Sequence, residues 1–236
     1  MLRGLGELQR HGEEARHTLE EAVAINRSLA EKDPDHYRDD LAAVLDDLAQ
    51  TTGDQRMADE APASWRQLAA LEPEIYRPEL GRALSSRGSL LDDRHSPREA
   101  QAAYDEALKV LRPLAAAEPG LFLADLATAL DRFGVLLDEE RLLDEARSAG
   151  DEALRIRRQL AAGNPEVFRP ELASSLQHLA VLEMHVHHTE AGSAAAREAL
   201  AILEPLAAQH AAEFGGELAR TKQALAGLGA GGTQRW

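Results

Sequence analysis

The sequence predicts an all-α protein, a solenoid of stacked helical hairpins, and three observations carry that prediction. Alanine and leucine dominate the apolar residues, whereas Phe, Trp and Tyr together make up only 4% of the chain. Ala and Leu are strong helix formers, and the aromatic and β-branched residues that fill strands are scarce. An aromatic anchor recurs at 46-residue intervals, at Tyr76, Phe122, Phe168 and Phe214, with Leu80, Leu126, Leu172 and Leu218 following in register. Finally, apolar residues between the anchors recur three and four apart, the period of a buried helix face.

The run from Asn164 to Leu172 echoes Glu72 to Leu80, and an earlier copy spans Asp33 to Leu41. In residues 120–165 the first helix is expected from Leu121 to Asp138, with Leu126, Ala129, Leu130, Phe133 and Leu137 on one face. A turn at Asp138-Glu139-Glu140-Arg141 leads to a second helix from Leu143 to Ala162, ending near Gly163-Asn164-Pro165. Glycine suits a helix C-cap there, and proline blocks continuation. A lone hairpin cannot cover its own apolar face, so successive pairs must stack, with the aromatic ring plugging the corner.

The resulting units are 1–34 (partial), 35–73, 74–119, 120–165, 166–211 and a terminal helix in 212–228, then a flexible tail, 229–236, ending in Trp236. The interval from Tyr37 to Tyr76 is 39 residues, seven short of the others, which equals two helical turns. The missing turns are expected at the start of a second helix beginning near Asp59 or Ala61, which would put Pro62 in its first turn. A helix kinked at Pro62 is the competing reading. Trp65 either fills volume left by the shortening or marks a small binding patch. His11 to Lys32 matches a second helix, with only Leu2 to Gly6 left of its mate. Its face at Ala15, Leu19, Ala22 and Leu29 is expected to be covered by a second copy, as a homodimer, or by residues outside this chain.

The charge balance narrows the function classes. Forty-one acidic residues face 26 basic ones, a formal net charge of −15. Nucleic-acid binding needs clustered positive charge, so no nucleic-acid partner is expected, and a protein partner of basic character is. Cysteine is absent, excluding thiolate catalysis and Cys-based metal sites. No window approaches the apolar length of a membrane span, so no membrane partner is expected and the chain is placed in the cytoplasm. The acidic pairs fall on helix flanks and turns, and Ser85 and Ser175 lack a nucleophile elbow, so no enzyme activity and no cofactor are expected. His178, His185, His187 and His188 gather near the end of one first helix. Imidazoles ligate zinc and nickel, which makes this cluster the one metal candidate, weighed against a plain polar turn.

The units resemble tetratricopeptide repeats, in a long-helix variant similar to kinesin light chain repeats and to arrays in large actinobacterial proteins. The resemblance rests on Gly88, Leu91, Ala100, Tyr104 and Ala107 in one unit. In the next it rests on Phe133-Gly134, Leu137, Ala146, Gly150 and Ala153, and then on Leu179-Ala180, Val181, Gly192, Ala196 and Ala199. It implies a right-handed α–α superhelix whose first helices line a concave groove. That groove would carry Asp46, Gln50, Arg82, Ser85, Ser89, Asp92, Thr128, Asp131, Val135, Ser174, Gln177, Val181, Met184, Arg220 and Gln223. Such arrays bind proteins or peptides as scaffolds. The cationic clamp that some use for a terminal carboxylate is reduced here to Arg82 and Arg220 beside several aspartates. The alternatives are a structural or regulatory segment of a larger protein, or an array that senses a small molecule or metal.

Overall fold

A computed structural model describes the backbone of residues 2–231 and the side chains of residues 13–229. Among these the chain is all-α: α1 (Leu2–Lys32), α2 (Pro34–Thr52), α3 (Gln55–Leu71), α4 (Pro73–Asp93), α5 (Pro97–Ala117), α6 (Pro119–Glu139), α7 (Leu143–Gly163), α8 (Pro165–His185), α9 (Thr189–Gln209) and α10 (Ala211–Gly231). They fall into two compact units, Met1–Ala117 and Glu118–Trp236. Within each unit every helix packs on the next in sequence, an arrangement of stacked antiparallel hairpins.

Two kinds of joint make the stack. Single non-helical residues, among them Asp33, Glu72 and Asn164, link a second helix to the next first helix, which opens on proline. Proline suits that place because the first-turn N–H it lacks would have no partner. Between the helices of a hairpin, His95, Arg141 and His187 take left-handed backbone angles of φ 57°, 63° and 60°. Each stands at 46-residue intervals and closes the preceding helix through bonds such as Leu142 N–H to Leu137 O, 2.8 Å, and His188 N–H to Glu183 O, 2.8 Å. The shortened hairpin uses Gly53, φ 67°, for the same purpose.

Several expectations need correction. The shortening is not confined to the start of α3: relative to α6 and α7, α2 is two residues shorter, the turn one and α3 four. Helix α3 begins at Gln55, where the Asp54 carboxylate accepts from Arg56 N–H at 2.8 Å, so Pro62 lies inside it. The buried face of Ala58, Ala61, Trp65 and Leu68 runs across the proline, and its packing outweighs the lost backbone bond. Gly163 is the last residue of α7 rather than a left-handed cap. Helix α1 is continuous from Leu2, with no break after Gly6, and α10 continues through Gly229 to Gly231. Trp236 and the side chains of Leu5 and Leu8 lie outside the described residues.

In the first unit Leu19 and Val23 of α1 pack with Leu45, Leu48 and Ala61, so Leu19 is part of the core and not an uncovered face. Trp65 fills volume: it is buried with Ala42, Leu80, Ala83, Leu84 and Ala107, its ring 6.0 Å from that of Tyr76. In the second unit Phe168 closes the corner beside Leu154, Ala161 and Leu172, and Phe214 that beside Ala173, Leu203 and Ala207.

The two rows of helices differ in each unit. The first helices approach one another closely (α2 with α4, α6 with α8, α8 with α10), whereas among the described residues α1 and α3, α3 and α5, and α7 and α9 show no such approach. Long ion pairs span that outer row instead: Arg27–Glu60 at 2.5 Å, Arg66–Glu106 at 2.7 Å and Arg158–Glu198 at 2.6 Å.

Candidate functional site

The polar positions expected on the first helices lie on the inner row, and the second unit joins several into one network. Arg157 of α7 stands at its centre. Counted in 46-residue steps, its place is filled by Trp65, Leu111 and Leu203, all buried apolar residues, and Arg157 is itself buried. A guanidinium in a core position must be paired and hydrogen-bonded to be tolerated. Its Nε lies 3.3 Å from Asp131 Oδ2, and Nη2 donates to Thr128 Oγ1 at 2.8 Å. From α8, Ser175 Oγ donates to the same Asp131 oxygen at 2.8 Å. Burial raises the Asp131 pKa, opposed by Arg157, Ser175 and His178. His178 is exposed, yet desolvation lowers its pKa against the pull of Asp131 and Glu217.

Next to this network α6, α7 and α8 form a partly open cavity of about 210 Å³, lined by Gly134, Val135, Ala146, Gly150, Leu179 and Leu182 with Asp131, Asp138, Ser175, His178 and His185. Two glycines create it. In the α4–α5 hairpin the corresponding residues are Gly88 and Tyr104. There the tyrosine ring lies against the glycine so closely that a Cβ on Gly88 would stand 2.9 Å from it. Gly150 replaces that ring with hydrogen, and a Cβ on it would meet nothing within 4 Å. The α8–α9 hairpin uses buried Ala180 and Ala196 at these places.

The histidines do not converge. His185 Nδ1 is 2.8 Å from both carboxylate oxygens of Asp138, on α6. His188 Nδ1 pairs with Glu183 Oε2 at 3.0 Å, and Arg147 of α7 pairs with the other oxygen of this buried carboxylate. His187 is the left-handed turn residue and is exposed, and His178 lines the cavity. Among the described residues no three His, Asp or Glu side chains gather as a metal site would need.

In the first unit Asp46 shares the register of Asp131. Burial pushes its pKa up to about 6, with Asp47 and Glu79 adding to the rise and Gln50 and Arg82 opposing it. Arg82 pairs with Glu79, and Ser85 is buried. Ser89 and Asp92 are half-buried and Gln50 exposed. In the second unit Val135, Ser174, Val181 and Met184 are half-buried, while Arg220 and Gln223 are exposed. Gln177 donates to Thr221 Oγ1 at 2.7 Å and to Glu217 O at 3.0 Å, tying α8 to α10. Oε2 of Glu171, one turn before Ser175, is shut off from solvent without a hydrogen-bond partner.

Sequence reasoning passed over Arg157, although an arginine where two other units carry leucine was the available signal. Glu183 was visible only as a neighbour of the histidines.

No family model matches the chain, and no curated protein matches it. Among solved structures it is similar to BtubC (BKLC) from P. vanneervenii, at 24% identity over 94% of this chain and 84% of that one, with a TM-score of 0.69. That likeness establishes a shared helical fold. No described helix is long and apolar enough to cross a membrane.

Proposed function

We propose that the chain is a tetratricopeptide-like scaffold that binds a protein or peptide along its first helices. What supports this most is the character of the inner row, where Gln50, Arg220 and Gln223 remain exposed between close-packed helices. A purely structural array would gain nothing from keeping these places polar and open. The formal net charge of −15 favours a partner that brings basic groups.

The test starts from a partner co-purified from the native cell and its affinity by titration. Alanine at Gln50, Arg220 or Gln223, which hold no part of the core, is expected to weaken binding severalfold. Alanine at the outer-row residues Asp151 and Arg155 is expected to leave it unchanged. Equal losses on both rows would place the partner elsewhere. Binding that is partly electrostatic also weakens with salt.

A second reading, self-association through α1, is favoured by Ile25, which is 59% exposed there. Light scattering over a concentration series tests it: an Ile25→Glu variant that stays monomeric where the unmodified chain dimerises supports the contact, and a monomer throughout ends it.

A further inference from the structure

We propose that the cavity between α6, α7 and α8 is a binding site for one phenol-sized aromatic ring bearing a hydrogen-bond donor. The inference does not depend on the scaffold reading, since every wall belongs to this chain's second unit.

Neighbouring hairpins fill the same place in other ways. In the α4–α5 hairpin a tyrosine ring lies over a glycine, Tyr104 over Gly88, and Tyr104 is 1% exposed. The α6–α7 hairpin keeps the glycine, as Gly134, and removes the ring, as Gly150. The α8–α9 hairpin closes the gap with two alanines. The middle case leaves an open pocket of about 210 Å³. An apolar cavity of about 150 Å³ already accepts benzene, so this one accommodates a single substituted ring. A ring seated on these apolar walls would displace water and gain dispersion contacts that water does not supply.

The lining sets the chemistry. Val135, Ala146, Leu179 and Leu182 provide apolar walls for the ring. Asp131 and Asp138 stand at the edge as acceptors, each already oriented by a neighbour, Arg157 and His185 respectively. A pocket with apolar walls and a few fixed polar groups suits a ring with one polar substituent. The carboxylates ask for a donor, and they disfavour an acidic ligand.

Phenol is the probe, titrated calorimetrically into the full chain, with toluene and N-acetyltyrosinamide as companions. Saturable binding of one phenol per chain is expected, with toluene at least fivefold weaker. Gly150→Tyr, which rebuilds the ring that Tyr104 supplies, is expected to abolish binding and to raise the melting temperature. Gly150→Met serves the same purpose with a flexible side chain should the tyrosine disturb folding. Binding of N-acetyltyrosinamide would assign the ring to a partner's side chain, and its exclusion to a free small molecule. Absence of saturable phenol binding, or phenol bound equally well by both Gly150 variants, overturns the proposal. Toluene binding as tightly as phenol overturns its donor requirement.

Discussion

Arg157 lies with its Nε 3.3 Å from the Asp131 carboxylate, at a helix position where Leu111 and Leu203 place only carbon. An ion pair that deep stabilises little against an apolar replacement of both partners, but losing one partner strands the other. Arg157→Leu alone is expected to cost about 3 kcal/mol, because Asp131 loses its counter-charge. The double variant Arg157→Leu/Asp131→Gln, which copies the leucine of Leu203 and the glutamine of Gln177, should recover most of that. Urea denaturation of the unmodified chain, the two single variants Arg157→Leu and Asp131→Gln, and the double variant checks it: additive losses would mean that the pair is not coupled.

The left-handed turn residues give a stabilising prediction. A residue with a Cβ carries a penalty of roughly 1–2 kcal/mol in that conformation, which glycine escapes. Arg141, at φ 63°, stands exposed. Arg141→Gly is therefore expected to stabilise by about 1 kcal/mol and Gly53→Ala to destabilise by a similar amount. Thermal melts of the two variants should shift in opposite directions.

Two glycines inside helices should respond oppositely to alanine. A Cβ on Gly192 would meet Leu228 at 2.9 Å and both Ala180 O and Glu183 Cβ at 3.2 Å, so backbone must move. A Cβ on Gly150 would enter open space. Gly192→Ala is expected to lower stability by about 1–3 kcal/mol through overpacking, and Gly150→Ala to raise it by up to about 1 kcal/mol through helix propensity. Chemical denaturation of both variants tests the pair.

Asp46 makes stability depend on pH. Its folded-state pKa of about 6 lies above the roughly 3.9 of an unfolded aspartate, so folding favours the protonated form. This contribution is fully present below about pH 4 and is lost as pH rises through about 6. Asp46→Asn, which keeps the side chain neutral throughout, is expected to gain about 1 kcal/mol at pH 8 and nothing at pH 4. A gain that does not vary with pH would exclude this origin.

How much of this was legible in the sequence depended on whether a residue obeys its register or breaks it. The helix from Leu143 follows from periodicity and begins where expected, whereas the first helices open on Pro119 and Pro165, prolines that local pattern reads only as a stop to the preceding helix. The buried aromatic corners at Phe168 and Phe214 likewise follow from the repeated anchor. Pro62 was misplaced because local propensity predicts a helix start, whereas the buried stripe from Ala58 to Leu68 carries the helix through it. The four histidines are near one another in sequence but diverge in space, because helix end, turn and cap direct them to different neighbours. The groove residues could be placed on the first helices, yet which of them are structural could not. Gln177 spends its amide on α10, a contact 40 and 44 residues away that no local pattern announces. Arg157 was hidden for the opposite reason, since arginine on a helix is ordinarily read as surface.

The outer row of each unit is the compliant one. Its helices are held by guanidinium–carboxylate struts such as Arg66–Glu106 and Arg158–Glu198, on long side chains open to water, while the inner row touches directly. Flexing a unit about its inner row therefore stretches struts that water can replace, at a cost of about 1 kcal/mol or less for each. It need not open the apolar core. Added salt screens those struts and leaves core packing alone, so ionic strength sets the stiffness of each unit more than its melting point.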